Sequence, residues 1–324
     1  MNVQKCGALK ELNMKIGFVF SGQGAQYLGM GEDFFYHSKS YKETIETASE
    51  ILGLDLQEIM LSDEEKLNQT EYTQPIILAM SVAISKVIKE TYEIEPEIVA
   101  GLSLGEYTAL VESGALDFET ALKLVRQRGK LMQEAVPMGV GAMTAVMGME
   151  RETIENICLE ASSVAGVYPA NYNMPGQVVI GGYKEGVAKA EELLKEAGAK
   201  RLIPLKVSGP FHTPLLKEAS VNLESILKET AFNGMTLPVV TNVTGEVLNS
   251  VDSIVSTLAK QVMSPVYFED CVRTMIDAGV ETFIEIGPGK TLSSFIKKVD
   301  RKLTILNVED SQTLEKLGEK LFPN

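Results

Sequence analysis

Two spacings of apolar residues alternate along this chain. Short apolar runs bounded by glycine or proline read as buried strands, and longer stretches in which apolar side chains return every three or four positions read as amphipathic helices. The first run, "IGFVF" from Ile16 to Phe20, leads into the glycine-rich turn "SGQGAQ". Helical spacing then covers Asp33 to Leu52 and Thr73 to Tyr92, followed by a second apolar run, "EIVAG", Glu97 to Gly101. A further helix begins near Leu104, and a charged, periodic one runs from Asp117 to Ala135, stopping before Pro137.

The rhythm changes at about residue 138. "GAMTAVMG", a helix from Glu150 to Ser163, "GVYPANYN", "GQVVIGG", a helix from Lys184 to Ala197 and "KRLIPLKV" follow one another. This order, β-α-β-β-α-β, is that of a ferredoxin-like unit. Alternation then resumes with a helix from Thr213 to Glu229, the strand "PVVTNV", two helices between Val251 and Ala278, the strand "VETFIEIG", a helix from Thr291 to Lys298 and the strand "LTILNV". The pattern predicts an α/β protein with a core in two pieces, residues 14–137 and 208–324, interrupted by a small subdomain over 138–207. Residues 1–13, which precede a second methionine at Met14, read as an N-terminal extension. A substrate cleft is expected between core and insert.

Composition narrows the function classes. A chain of 324 residues, 45% hydrophobic, has enough length and apolar content for a large core. The longest apolar stretch, Ile76 to Ile84, is far shorter than the ~20 residues of a spanning helix, so no membrane role is expected. Three scattered cysteines, Cys6, Cys158 and Cys271, suit a reducing compartment, and with two histidines in all no metal site is expected. The net charge of −14 disfavours nucleic acid. Cytoplasmic location and a monomeric state are the expectations.

Candidate chemistry centres on "GLSLGEY". A serine in a G-x-S-x-G frame between strand and helix is the signature of a nucleophile elbow, which points to an α/β-hydrolase-like core with a parallel sheet. The alternative is a small-residue turn with a capping serine. Ser103 needs a base, and the chain offers His37, in a polar helix start, and His212, in the rigid loop "VSGPFHTPLL". An oxyanion hole would draw one backbone N–H from Leu104 and a second from the glycine-rich turn after the first strand, which opens on the same sheet edge. That turn lacks G-x-G-x-x-G spacing, and "IEIGPGKTL" has isoleucine where a phosphate-binding P-loop needs glycine.

Six segments in order, "FSGQGAQ", "GLSLGEY", "RQRGKLM", "NYNMPGQVVIGG", "GPFHTPLL" and "EIGPGKTL", resemble the malonyl-CoA:acyl carrier protein transacylases of bacterial fatty-acid synthesis, over Lys15 to Val308. The resemblance implies Ser103 as nucleophile, His212 as base, and Gln261 as the residue whose main-chain or amide carbonyl orients that base. It also implies oxyanion-hole N–H groups on Gln23 and Leu104, and Arg128 as the grip on the malonyl carboxylate. From the residues alone Arg126 or Lys130 would serve as well as Arg128. No cofactor is implied; malonyl-CoA is a substrate and acyl carrier protein the acceptor. Leu102 departs from the histidine common before the nucleophile. Lys297, Lys298, Arg301 and Lys302, or Lys200 and Arg201, are candidate patches for the anionic partners of an acidic protein. A serine thioesterase or esterase, malonyl loading for polyketide synthesis, and a silent carrier-docking module are the competing readings.

Overall fold

The computed structural model describes residues 14–137, 139–205 and 209–323. In chain order, β1 (Ile16–Phe20) is followed by helices α1 (Glu32–His37), α2 (Lys39–Leu52), α3 (Leu56–Ser62), α4 (Glu64–Leu67) and α5 (Thr70–Tyr92). Next come β2 (Ile98–Gly101), α6 (Leu104–Glu112) and α7 (Phe118–Glu134). A middle segment runs β3 (Gly141–Met147), α8 (Arg151–Ala161), β4 (Val167–Met174), β5 (Gln177–Tyr183), α9 (Lys184–Glu196) and β6 (Arg201–Pro204). The chain continues through α10 (Lys217–Lys228), β7 (Val239–Val240), α11 (Ile254–Met263), α12 (Phe268–Asp277), β8 (Thr282–Ile286), α13 (Thr291–Val299), β9 (Thr304–Val308) and α14 (Ser311–Leu321).

Five strands form a parallel sheet in the order β7-β2-β1-β8-β9. Every residue of β1 and β8 is buried, which is why "IGFVF" and "TFIEI" lack polar alternation: helices cover both faces of a parallel sheet. Phe18, Phe20 and Ile284 pack on the side of α5, while Val19, Ala100 and Phe283 pack on the side of α12 and α13. Each fully buried phenylalanine here contributes about 1.5–3 kcal/mol. Helix α5 is enclosed by the core, and this accounts for the run Ile76 to Ile84, apolar but for the buried Ser81. Because β1 and β2 are parallel neighbours, the loops at their carboxyl ends open on one edge of the sheet.

The remaining strands form an antiparallel sheet, β4-β5-β3-β6, the order of a βαββαβ ferredoxin-like unit. One face carries α8 and α9 through Ile154, Val187 and Leu194. The other face turns Met143, Ala145 and Val179 into the main core. The small sheet is fastened through β4: Tyr172 N–H donates to the Val266 carbonyl at 2.8 Å, and Val266 N–H to the Ala170 carbonyl at 2.9 Å.

Several elements differ from the pattern-based expectation. The single helix expected over Asp33–Leu52 is broken at Ser38, whose extended backbone (φ −122°) lets its hydroxyl cap α2 by accepting from Tyr41 N–H. Helix α5 begins at Thr70, three residues earlier than Thr73. Pro214–Leu216 is a 3₁₀ turn, so the expected helix from Thr213 starts at Lys217. The strand "PVVTNV" shrinks to two residues because Thr241 and Asn242 bend away to bond Glu106. Helices α3, α4 and α14 had no expectation at all. The extension 1–13 and the insert boundaries at Met138 and Lys206–Ser208 lie outside the described residues. Among the described residues no helix is long and apolar enough to cross a membrane.

Candidate active site

The site begins at the end of β2. Ser103 occupies φ 54°, ψ −99°, a backbone conformation that non-glycine residues avoid. Close packing enforces it: a Cβ on Gly101 would strike the Gly105 carbonyl, and one on Gly105 would strike the Phe20 carbonyl. Asn242, at the carboxyl end of β7, braces the turn from both sides. Its Oδ1 accepts from Ser103 N–H at 2.6 Å, and its Nδ2 donates to the Gly101 carbonyl at 2.7 Å. The result presents the Ser103 hydroxyl at the sheet edge, where an elbow requires it.

His212, also at positive φ (60°), meets that hydroxyl: Nε2 lies 2.8 Å from Ser103 Oγ. Its Nδ1 lies 2.8 Å from the main-chain carbonyl of Gln261, which has only lone pairs to offer. Nδ1 therefore carries the proton, and Nε2 is left free to accept from the serine. Burial, together with the nearby Arg128 cation, pushes the imidazole down to about 4, so it is a neutral base at pH 7. His37 sits elsewhere, on α1, exposed and 3.1 Å from Asp33.

Arg128, on α7, is completely buried. Its Nη1 donates to Gln74 Oε1 at 2.7 Å, and its Nη2 to Ser103 Oγ at 3.0 Å and Gln261 Oε1 at 2.9 Å. The guanidinium lies over the Tyr107 ring, 5.2 Å from its centroid. Among the described residues the arginines in ion pairs are Arg126, Arg151 and Arg273; no carboxylate comes within 4.0 Å of Arg128, and its Nε has no hydrogen-bond partner. Burial lowers its pKa from the ordinary value, with Tyr107 and Glu106 opposing. Arg126 points away, to Glu71 and the Leu52 carbonyl, and Lys130 is exposed.

Beneath the serine lies Glu106, buried on the first turn of α6. It accepts from Thr241 Oγ at 2.7 Å, Asn242 N–H at 3.0 Å and Gln261 Nε2 at 2.8 Å. Burial raises its carboxyl above the usual range against these three bonds. Leu104 and Gln23 flank Ser103 from α6 and from the loop after β1. The two segments touch, since a Cβ on Gly22 would strike the Leu102 carbonyl. Neither Leu104 N–H nor Gln23 N–H donates to another described residue. The Gln23 side chain is tied down: it donates to Thr70 Oγ at 3.0 Å and accepts from Gln74 at 3.3 Å.

Ser103, His212 and Gln23 open into a cavity of about 250 Å³ lined also by Leu102 and, from the small sheet, by Met143, Asn171, Asn173 and Val179; Arg128 and Gln261 are buried and are not among its lining residues. Glu285, on β8, reaches its wall, its carboxylate capping the N-terminus of α13 through Leu292 and Ser293 N–H; burial pushes it up to about 7. No group of three or more His, Cys, Asp or Glu among the described residues could hold a metal ion.

The structure thus brings Ser103, His212, Gln261, Gln23, Leu104 and Arg128 together. Three participants were missed: Gln74, Glu106 and Asn242. Asn242 had a usable signal, a polar residue at the carboxyl end of a parallel strand. Glu106 and Gln74 had none, because nothing in a helical repeat distinguishes a buried polar residue from a solvated one.

The acyl transferase domain family matches residues 17–318. The chain is 44% identical over 303 residues to the malonyl CoA-acyl carrier protein transacylase of Bacillus subtilis (strain 168), spanning 93% of this chain and 95% of that protein. The crystal structure of MCAT from Streptococcus pneumoniae is 52% identical, with a TM-score of 0.91 over 94% of this chain and all of the other. A malonyl-transacylase solved in complex with its type II PKS acyl-carrier protein is 42% identical, with a TM-score of 0.92 over 94% of this chain and 99% of the other.

Proposed function

The chain belongs to the acyl transferase domain family, and on that footing we propose that it carries malonyl from malonyl-CoA to the phosphopantetheine thiol of an acyl carrier protein, supplying extender units for fatty-acid synthesis. Ser103 Oγ attacks the thioester carbonyl as its proton passes to His212 Nε2, and the new C–O bond leaves an oxyanion facing the N–H groups of Gln23 and Leu104. Collapse expels the CoA thiolate, which takes the proton back from His212. In the second half the carrier thiol gives its proton to His212 and attacks the malonyl ester. Ser103 Oγ then leaves and is reprotonated.

The observation that carries this reading is the buried Arg128 guanidinium, 3.0 Å from the nucleophile and, unlike Arg126, Arg151 and Arg273, with no carboxylate within 4.0 Å among the described residues. A buried cation of this kind is costly to leave unpaired, and the free carboxylate of a malonyl group is its natural complement. Against a hydrolase triad, the group that orients His212 is a peptide carbonyl and not an acidic side chain. The same division of labour has core residues 14–137 and 208–324 carrying the chemistry and residues 138–207 forming a subdomain that closes the cleft. Work in the cytoplasm as a monomer fits that reading.

Helix α13 lines the cleft with Leu292 and Phe295 and exposes Lys297 and Lys298 on its outer side, so we place the docking surface for the acidic carrier there. Initial rates with malonyl-CoA and holo carrier both varied test the function. Parallel double-reciprocal lines with transfer to the carrier are expected; release of malonate to water without transfer would favour a thioesterase.

A further inference from the structure

We infer that Glu106 is a positioning residue for acyl-group selection: it sets the polarity of the Gln261 side-chain amide, so that an oxygen and not an NH₂ group faces Arg128. This rests on the reading of Arg128 as the carboxylate grip.

The Gln261 amide is held at three points. Its Nε2 donates to Glu106 Oε2 at 2.8 Å and to the Ser103 carbonyl at 3.0 Å, while its Oε1 accepts from Arg128 Nη2 at 2.9 Å. Turned over, the amide would set its oxygen against a carboxylate and a carbonyl, and its NH₂ against a guanidinium, so all three contacts would oppose it. Glu106 is the side-chain acceptor that holds the Nε2 end of the amide, and it is itself fixed by Thr241 Oγ and Asn242 N–H.

The consequence reaches the grip. Arg128 is suspended between two neutral amide oxygens, Gln74 Oε1 and Gln261 Oε1, which orient the guanidinium without cancelling its charge. A carboxylate in direct contact would hold it as firmly and neutralise it. Glu106 therefore acts one residue removed, and orientation needs only its acceptor lone pairs. Glutamine at position 106 keeps an oxygen where Asn242 N–H and Gln261 Nε2 donate, with its NH₂ directed at the Thr241 hydroxyl, which can turn to accept. Methionine, of similar shape, keeps neither acceptor.

The test is the ratio of kcat/KM for malonyl-CoA to that for acetyl-CoA, with thermal melting to establish folding. Glu106→Met and Gln261→Met are each expected to lower the ratio about tenfold or more, the scale of one hydrogen bond to a charged group. Combined, they should lower it no more than about twofold beyond Gln261→Met alone, because they act through one contact. Glu106→Gln should keep the ratio within about threefold of the parent, as retained acceptor geometry requires. An unchanged ratio in Glu106→Met, or losses that multiply in the double variant, overturns the inference. Should Glu106→Met not fold, Glu106→Gln carries the test alone, since a tenfold fall in its ratio would show that charge and not orientation matters. Arg128→Ala separates the two levels: if it leaves the ratio unchanged, the carboxylate grip itself is wrong, whereas a ratio lost there and kept in Glu106→Met sinks only the role of Glu106.

Discussion

The floor of the cleft and the wall that faces it differ in material. The floor, built from the turns after β2 and β7 and from helices α6, α7 and α11, is polar, buried and cross-bonded: Ser103, Arg128, Gln261, Glu106 and Asn242 each hold at least two of the others or their backbone. The wall, contributed by the small antiparallel sheet and the residue that follows it, sets the apolar side chains of Met143, Val179 and Leu205 on the cavity beside Asn171 and Asn173. A floor of this kind fixes atoms to within hydrogen-bond tolerance and fails when one member is lost. A wall of flexible apolar side chains sets the room available and can give by a methylene or two.

That contrast predicts a graded series of effects. Ser103→Ala should reduce acyl transfer by at least about 10⁴-fold, since the covalent route disappears; the measurement is steady-state transfer to holo carrier. Arg128→Ala comes next, lowering malonyl kcat/KM by about 30- to 1000-fold while acetyl-CoA gains relative to it, the worth of a charge-assisted pair of hydrogen bonds. Asn242→Ala removes the brace on the strained serine and should slow acylation by about 10- to 100-fold, with about 1–3 kcal/mol of stability lost in urea titration. Lys297→Glu with Lys298→Glu should raise the carrier KM at low salt and leave loading from malonyl-CoA intact. Met143→Ala, on the wall, should change malonyl loading by less than about threefold and improve acceptance of the bulkier methylmalonyl group. A wall variant that cost as much as a floor variant would erase the distinction.

The pH dependence probes the floor in another way. His212 is held at about 4, below its ordinary 6.5, by burial and Arg128. The acid limb of acylation should therefore fall near 4 and not near 6.5. The sign for stability is the same. A depressed pKa means that the unfolded chain binds the proton more readily, so the contribution of neutral His212 is complete above about 6.5 and is lost as pH falls toward about 4. Urea titrations between pH 7 and 4 on the parent and His212→Gln should diverge over that window.

Much of this was legible beforehand because it is written in local pattern. Gly101 and Gly105 around Ser103 announce the elbow, since only small residues fit where two backbones touch. The βαββαβ order of the small sheet follows from the run of short strands and helices. His212 was isolated by scarcity, as the other histidine occupies a polar surface helix. What stayed hidden depends on tertiary placement. Gln261 was expected to orient His212 through either a main-chain or an amide carbonyl; its main-chain oxygen meets the imidazole, while its side chain meets Arg128. Gln74, Glu106 and Asn242 come from three distant stretches, and no spacing rule links them. The break at Ser38 was invisible for a different reason: a serine within amphipathic spacing reads as a helix surface until its hydroxyl is seen capping the next turn.

The most direct test is to mix the protein with labelled malonyl-CoA, quench in acid before carrier is added, and map the label by peptide. One equivalent on the peptide containing Ser103, discharged by holo carrier thiol and absent in His212→Gln, is the predicted result. Label on any other residue, or a Ser103 ester that forms equally well without His212, would contradict it.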